Sequence, residues 1–127
     1  MIVKKLSALG GMLLLGIAAG PARAQVDAEA AQALAKRNDC FKCHAIDKTK
    51  KGPPYTRIAG RLKTKPDAVD VIVEHITSGP VIEFQDGTRD RHKVIDTTDP
   101  KELRNLAGWI LSHRSSRIAA RPVSPNR

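Results

Sequence analysis

Two cysteines and a histidine stand within five residues of this 127-residue chain, in the stretch Cys40-Phe41-Lys42-Cys43-His44. Two thiols three positions apart, followed directly by a histidine, form the pattern that attaches a haem covalently. On one helical turn Cys40 and Cys43 face the same way, so each can form a thioether to one haem vinyl group, and His44 then lies beneath the iron. The chain has only two cysteines, and one covalent haem consumes both.

A pair of cysteines at this spacing also occurs in redox dithiols and in zinc sites. A thioredoxin-like dithiol needs a βαβ context, which the sequence does not show. A structural zinc site needs four Cys or His ligands in paired spacings, and no second pair is present. The sequence therefore favours one iron redox centre over either alternative.

Residues 1–24 have the features of a secretory signal peptide. Lys4 and Lys5 give a basic start, an apolar stretch follows over residues 6–19, and Ala22-Arg23-Ala24 is a small-x-small cleavage site. The apolar stretch is shorter than the roughly 20 residues of a transmembrane helix. We therefore expect cleavage before Gln25 and no transmembrane span in the mature chain, with an uncleaved anchor as the alternative. Bacterial haem attachment takes place outside the cytoplasm, which predicts a periplasmic protein.

The mature residues 25–127 carry 19 of the 22 Lys and Arg residues and all 13 Asp and Glu residues, a formal net charge of +6. A basic domain of this size favours redox partners with acidic docking surfaces, or an anionic membrane surface. Nucleic acid is not expected, because the chain has four aromatic residues and no basic-aromatic stripe. The candidates for docking are the lysines in and after the motif, Lys42, Lys48, Lys50 and Lys51.

The sequence pattern predicts three helices and no strand. The first is capped by Asp27 and runs through a series of alanines into the haem motif, which predicts close packing against another helix. The second runs from about Pro66 to Ser78 and ends at Gly79. The third has Asp99 as its cap, with Pro100 in the first turn and Glu102 in the position of a capping box.

The remaining segments are predicted to be irregular. Residues 45–63 are rich in charged and turn residues around Gly52-Pro53-Pro54, which predicts a loop that covers the haem. After His113 the composition changes to Arg, Ser and Pro. The predicted organisation is therefore a haem domain over residues 25–113 and a basic, disordered tail over residues 114–127.

These residues resemble those of the small single-haem class I cytochromes c. The resemblance covers most of the mature chain, from the haem motif through Gly52-Pro53 to Trp109-Ile110-Leu111. It implies an all-α fold of about three main helices, with long loops wrapped around one haem c and the first and last helices crossing beside it. It also implies that the carbonyl of Pro53 accepts a hydrogen bond from the second ring nitrogen of His44. Tyr55 and Trp109 are expected among the haem surroundings.

The second axial ligand departs from that family, whose members normally use a methionine in the loop before the last helix. Met1 and Met12 are the only methionines, and both lie in the predicted signal peptide. His92 lies 17 residues before Trp109, close to the position of the family's methionine, and is the predicted distal ligand.

Other side chains are weaker candidates for the distal position. Lys93 binds iron only after losing a proton, and an open or water-bound iron is the remaining alternative. His75 is interpreted as a surface residue next to an apolar stripe. His113 lies at a helix C-terminus, where a partly charged imidazole is favourable without a metal.

The distal ligand decides the expected function. An iron with two strong protein ligands has no vacant position for a substrate, so the chain is predicted to be an electron carrier and not an enzyme. If His44 is the only protein ligand, the alternative is a haem-based small-ligand binder, sensor or reductase.

Overall fold

The computed structural model of the protein describes residues 25–113, which form five helices and one two-stranded sheet. The helices are α1 Ala28–Arg37, α2 Cys40–Cys43, α3 Tyr55–Leu62, α4 Ala68–Ser78 and α5 Pro100–Ser112. Strands β1 Val81–Glu83 and β2 Arg89–Arg91 lie between α4 and α5. The signal peptide predicted for residues 1–24 and the tail predicted for residues 114–127 lie outside the described residues and stay predictions.

Helices α1 and α5 begin at the predicted caps. The Asp27 carboxylate accepts from the backbone amide of Ala30 at 3.0 Å, and the Asp99 carboxylate accepts from that of Lys101 at 2.8 Å. The predicted capping box is only indirect, because the Glu102 carboxylate accepts from the Thr97 hydroxyl, which in turn accepts from the backbone amide of Asp99. Orphan donors at both helix starts are thus satisfied.

The first helix does not run into the haem motif, as the sequence predicted. It ends at Arg37, and Asp39 has a left-handed backbone conformation with φ 59°. A left-handed residue interrupts a right-handed helix, so the motif starts a new turn, α2, whose direction is independent of α1. The side-chain amide of Asn38 donates to the carbonyl of Leu34 at 3.0 Å and closes the end of α1.

The predicted loop over residues 45–63 is wrong in its second half, which forms α3. Pro54 precedes this helix as its N-cap residue, where the missing N–H of proline costs no hydrogen bond. Apolar residues recur at helical spacing, with Tyr55 and Ala59 buried and Ile58 and Leu62 half-buried. This periodicity was available in the sequence.

The segment after α4 contains strands, although none was predicted. Gly79 ends α4 with φ 62°, and β1 then pairs antiparallel with β2 in the register Val81–Arg91, Ile82–Asp90 and Glu83–Arg89. The turn between them contains Asp86 and Gly87, and Gly87 has φ 80°. An Asp-Gly pair is a common hairpin signal, so this feature could also have been read from the sequence.

The core lies where α5 packs against α1, α3 and α4. The alanine-rich face of α1 allows the expected close approach, since Ala31 and Ala35 are 1% and 0% exposed and meet a fully buried Ala107 of α5. Within residues 25–113, no helix combines the length and the apolar character needed to cross a membrane. The fold thus leaves α2, α3, α4 and the hairpin to enclose a site on one side of α5.

Candidate haem site

A cavity of about 660 Å³ lies between α2, α3, α4 and the β-hairpin. Apolar side chains from four elements form much of its wall, among them Ile58, Ile72, Ile82 and Ile110. Pockets that bind cofactors are typically concave and mostly apolar, with a few polar groups that orient the ligand. Here the polar groups include both cysteines of the motif, His44 and His92.

The motif cysteines lie at the two ends of α2. Both thiols are half-buried, are not joined to each other and face the cavity. Burial raises the pKa of the Cys40 thiol, so this side chain stays protonated in the free chain. The one-turn spacing thus presents two thiols to a single group in the cavity.

His44 is held from three directions. Its Nδ1 donates to the carbonyl of Pro53 at 2.6 Å, as the resemblance implied. Its ring stacks on Tyr55, with centroids 5.5 Å apart and an interplanar angle of 20°. Gly52 passes so close that a Cβ there would lie 2.8 Å from Cε1 of His44. These contacts fix the ring and leave Nε2 as its metal-binding atom.

His92 approaches from the opposite wall. Its backbone amide donates to the carbonyl of Pro80 at 2.8 Å, and its Nδ1 donates to the carbonyl of Lys93 at 2.9 Å. Burial lowers the pKa of the His92 imidazole, and the neighbouring His75 lowers it further. A neutral ring with Nδ1 engaged presents the Nε2 lone pair, as in His44.

The two rings fit a metal ion between them. The centroids of His44 and His92 are 6.2 Å apart, and the ring planes make an angle of 43°. A metal–imidazole bond is ~2 Å long, so two rings on opposite sides of one ion have centroids roughly 6 Å apart. The cavity between the thiols and the two rings thus has the donor set of an axially ligated haem.

The other distal candidates occupy different positions. The Lys93 ammonium lies 3.7 Å from the Asp39 carboxylate, and Lys42 and Lys93 together lower the pKa of Asp39. His113 packs edge-on against Trp109 with centroids 4.7 Å apart, and burial lowers its pKa. The helix-end interpretation of His113 as partly charged is therefore replaced by a neutral ring in an aromatic cluster.

Two further predictions change in detail. His75 is exposed, as expected, but its ring also lines the cavity and meets His92, with centroids 4.4 Å apart. Tyr55 lines the cavity, whereas Trp109 does not. Trp109 is 3% exposed and packs against Tyr55, with ring centroids 5.5 Å apart, because its helix α5 packs against α3.

Three residues near the site were missed in the sequence. Asp39 links the haem motif to the segment that carries His92, through its ion pair with Lys93. Gly52 leaves room for the His44 ring. Phe84 of the hairpin turn lies under the Lys51 ammonium, 4.4 Å from the ring centroid. A glycine directly before Pro53 was a visible signal for close approach. The other two contacts join distant segments, and no local pattern announces them.

The comparisons with known proteins agree with this geometry. The family model for cytochrome c matches residues 28–114. Cytochrome c-552 of Hydrogenobacter thermophilus is 33% identical over 79 residues, which are 62% of this chain and 76% of that protein.

Two solved cytochrome structures are also similar to this chain. The class 1 cytochrome MtoD from Sideroxydans lithotrophicus ES-1 is 43% identical, with a TM-score of 0.69 over 72% of this chain and all of that one. Cytochrome c552 of Nitrosomonas europaea is 25% identical, with a TM-score of 0.53 over 65% of this chain and 99% of that one. The predicted all-α fold is confirmed. Proteins of this kind bind haem c through the motif that Cys40 and Cys43 occupy, and the chain belongs to the cytochrome c family.

Proposed function

We propose that this protein is an electron-transfer cytochrome whose haem iron is held by His44 on one side and His92 on the other. The observation that carries the proposal is the distance of 6.2 Å between the ring centroids of two imidazoles that line the same cavity. Each Nδ1 donates to a backbone carbonyl, of Pro53 and of Lys93. This hydrogen bond selects the tautomer whose Nε2 can bind a metal.

The haem iron supplies the chemistry by alternating between its ferric and ferrous states. His44 and His92 would hold the iron between them and would leave no position for a substrate. A carrier function follows, with no enzymatic step. Nitrogen ligands also lack the methionine sulfur that raises the potential of His/Met cytochromes c, so a lower reduction potential is expected.

The ion pair of Lys93 supports His92 over Lys93 as the distal ligand. Lys93 is directed towards Asp39, and an ammonium must lose its proton before it can bind a metal. Ligation by Lys93 would also require its side chain to leave the Asp39 carboxylate.

The ligand assignment is tested with the optical spectrum and carbon monoxide binding of the full-length holoprotein. The wild type is expected to be low-spin when oxidised, to lack the sulfur-to-iron charge-transfer band at the red end of the spectrum, and to bind carbon monoxide poorly when reduced. His92→Ala is expected to become high-spin or water-ligated and to bind carbon monoxide readily, because it vacates one axial position.

Two matched variants control this experiment. Lys93→Ala tests the neighbouring donor, and His113→Ala tests a histidine that packs away from the cavity; both should keep the wild-type spectrum. An unchanged spectrum in His92→Ala would refute the assignment. A wild type that is already high-spin would instead support a small-ligand binder with His44 as its only protein ligand.

We also propose a cellular location and a class of redox partner. After removal of residues 1–24 the protein would act in the periplasm and pass electrons to redox proteins with acidic docking surfaces. Three of the docking lysines have internal contacts: Lys42 lies 3.2 Å from Asp39, Lys50 donates to the carbonyl of Phe41, and Lys51 lies over Phe84. The exposed ion pair of Lys42 is of a weak kind, so this ammonium group can exchange Asp39 for a carboxylate of a partner.

A further inference from the structure

His75 lines the cavity but has no role in the proposed function. It lies in the last turn of α4, and its ring lines the same cavity as His44 and His92. The centroids of the His75 and His92 rings are 4.4 Å apart, and the planes make an angle of 65°. This is an edge-to-face contact, one of the preferred arrangements of aromatic rings.

The backbone that carries His75 is firmly placed. Ile72, one turn before it, is 5% exposed, and Ile76, next to it, packs partly buried against the same core. The Cα of His75 is therefore held at a fixed position beside the cavity by the buried face of α4.

The loop that carries His92 is attached to the end of this same helix. The amide of Ile95 donates to the carbonyl of Ile76 at 2.9 Å, and the amide of His92 donates to that of Pro80 at 2.8 Å. The chains meet closely at Gly79, where a Cβ would lie 2.8 Å from Cγ2 of Val94 and 3.1 Å from the carbonyl oxygen of His92. His75 and His92 therefore belong to one packed unit.

The remaining freedom of His92 is rotation of its ring. The hydrogen bond from Nδ1 to the carbonyl of Lys93 is local and does not by itself set the plane of the imidazole. Among residues 25–113, His75 presents the ring that contacts His92 from the distal wall, whereas His44 faces it across the cavity. The His75 ring, with its centroid 4.4 Å from that of His92, restricts this rotation.

We propose that His75 is a positioning residue, whose ring sets the orientation of the His92 imidazole and so the 43° angle between the two axial ring planes. The inference rests on the proposed ligation by His44 and His92. The angle between axial imidazole planes determines how the iron d orbitals split. It is therefore visible in the g-tensor of the oxidised low-spin protein, a quantity that a merely structural contact does not set.

The test compares three variants of the full-length holoprotein by electron paramagnetic resonance of the oxidised form and carbon monoxide binding of the reduced form. His75→Ala removes the ring, His75→Phe keeps a ring of similar shape, and Glu74→Ala changes the exposed neighbour on the same helix. His75→Ala is expected to shift and broaden the g-values and to bind carbon monoxide severalfold faster, because a less restrained His92 dissociates more often. His75→Phe and Glu74→Ala are expected to match the wild type.

Each other outcome overturns the inference. Wild-type g-values in His75→Ala would show that the ring contact does not orient His92. A His75→Phe protein that behaves like His75→Ala would assign the effect to the imidazole nitrogens and not to packing. Circular dichroism of the three variants monitors folding, and the exposed positions of Glu74 and His75 make all three compatible with the fold.

The His92→Ala protein separates this inference from the proposed function. If His92→Ala loses the low-spin spectrum while His75→Ala is unchanged, only the role of His75 is wrong. If His92→Ala keeps the low-spin spectrum and His75→Ala loses it, His75 is the ligand and both proposals fail.

Discussion

At the scale of single residues, Gly52 passes so close to His44 that no side chain fits between them. A Cβ at position 52 would stand 2.8 Å from Cε1 and 3.1 Å from Nδ1 of the His44 ring, and 3.2 Å from the carbonyl of Cys43. The added Cβ would press against the Cys43 backbone and against the His44 ring, which is hydrogen-bonded to Pro53. Neither group can shift without breaking other contacts. The proximal histidine is thus held in place by the absence of a side chain.

This contact predicts that Gly52→Ala displaces His44 from Pro53. We expect a lower yield of holoprotein and a lower denaturant midpoint for unfolding. Gly60→Ala is the matched control, because no atom lies within 4 Å of a Cβ there, and alanine favours the helix α3 by up to ~1 kcal/mol over glycine. Equal behaviour of the two variants would contradict the prediction.

His113 predicts a pH dependence at the same scale. Its Nε2 is buried without a hydrogen-bond partner among the described residues, and burial lowers its pKa from the ordinary value of 6.5. The unfolded chain therefore binds a proton more readily than the folded one. The stability due to the neutral ring is complete above pH 6.5 and is lost as the pH falls through the lowered pKa of the folded state.

We expect His113→Phe to show a shallower loss of unfolding free energy below pH 6.5 than the wild type, because phenylalanine keeps the contact with Trp109 and has no proton to bind. Denaturant unfolding of the holoprotein measures this at a series of pH values. Above pH 7.5 the two proteins should have parallel pH profiles. Parallel profiles at acidic pH as well would show that His113 does not contribute.

At the scale of the elements, Asn38 connects the end of α1 to the segment that follows the distal loop. It is 3% exposed. Its amide nitrogen donates to a carboxylate oxygen of Asp96 at 2.8 Å, and its amide oxygen accepts from the backbone amide of Asp96 at 2.9 Å. Asp96 lies four residues after His92. The hydrogen bonds between Asn38 and Asp96 therefore help to hold the segment that carries His92 against α1.

Asn38→Ala is therefore expected to destabilise the protein by about 1–3 kcal/mol, because it removes the hydrogen bonds of a buried side chain to the carboxylate and the backbone amide of Asp96. The denaturant midpoint of the holoprotein provides the measurement. Gln32→Ala, an exposed position on the same helix, should change the stability by less than ~0.5 kcal/mol. A similar small effect at Asn38 would indicate that water replaces the lost hydrogen bonds.

At the scale of the whole molecule, the charge is unevenly distributed. Residues 25–113 contain 15 Lys and Arg residues against 13 Asp and Glu residues, a net charge of +2, and four arginines in residues 114–127 add +4 to give the +6 of residues 25–127. Long-range attraction of an acidic partner depends on the total charge, whereas docking depends on the lysines near the motif.

This division predicts how electron transfer to an anionic oxidant responds to salt. The rate should fall as ionic strength rises, because salt screens the attraction. Replacing Arg117, Arg121 and Arg127 by Gln removes half of the +6 charge. The electron-transfer rate should then depend markedly less on salt, while the optical spectrum of the haem stays unchanged. Stopped-flow kinetics at several salt concentrations provide the measurement, and a salt dependence equal to that of the wild type would exclude a steering role for these arginines.

The sequence by itself determined what depends on near neighbours along the chain. The thioether pair at Cys40 and Cys43, the histidine beside it, the Asp27 and Asp99 caps and the end of α4 at Gly79 all follow from interactions within one or two turns. The helix α3 and the Asp-Gly hairpin were equally local and were missed, because charged residues hid the apolar period of α3 and the hairpin strands are only three residues long.

Only the tertiary structure decided which side chains meet across the cavity. His44 and His92 are 48 positions apart, and Asp39 and Lys93 are 54 apart, so their distances depend on how α5 packs against α1, α3 and α4. The same packing put Trp109 behind Tyr55 and brought the exposed ring of His75 against His92. Local propensities do not encode such contacts, because burial of the apolar helix faces fixes them only after the whole core has formed.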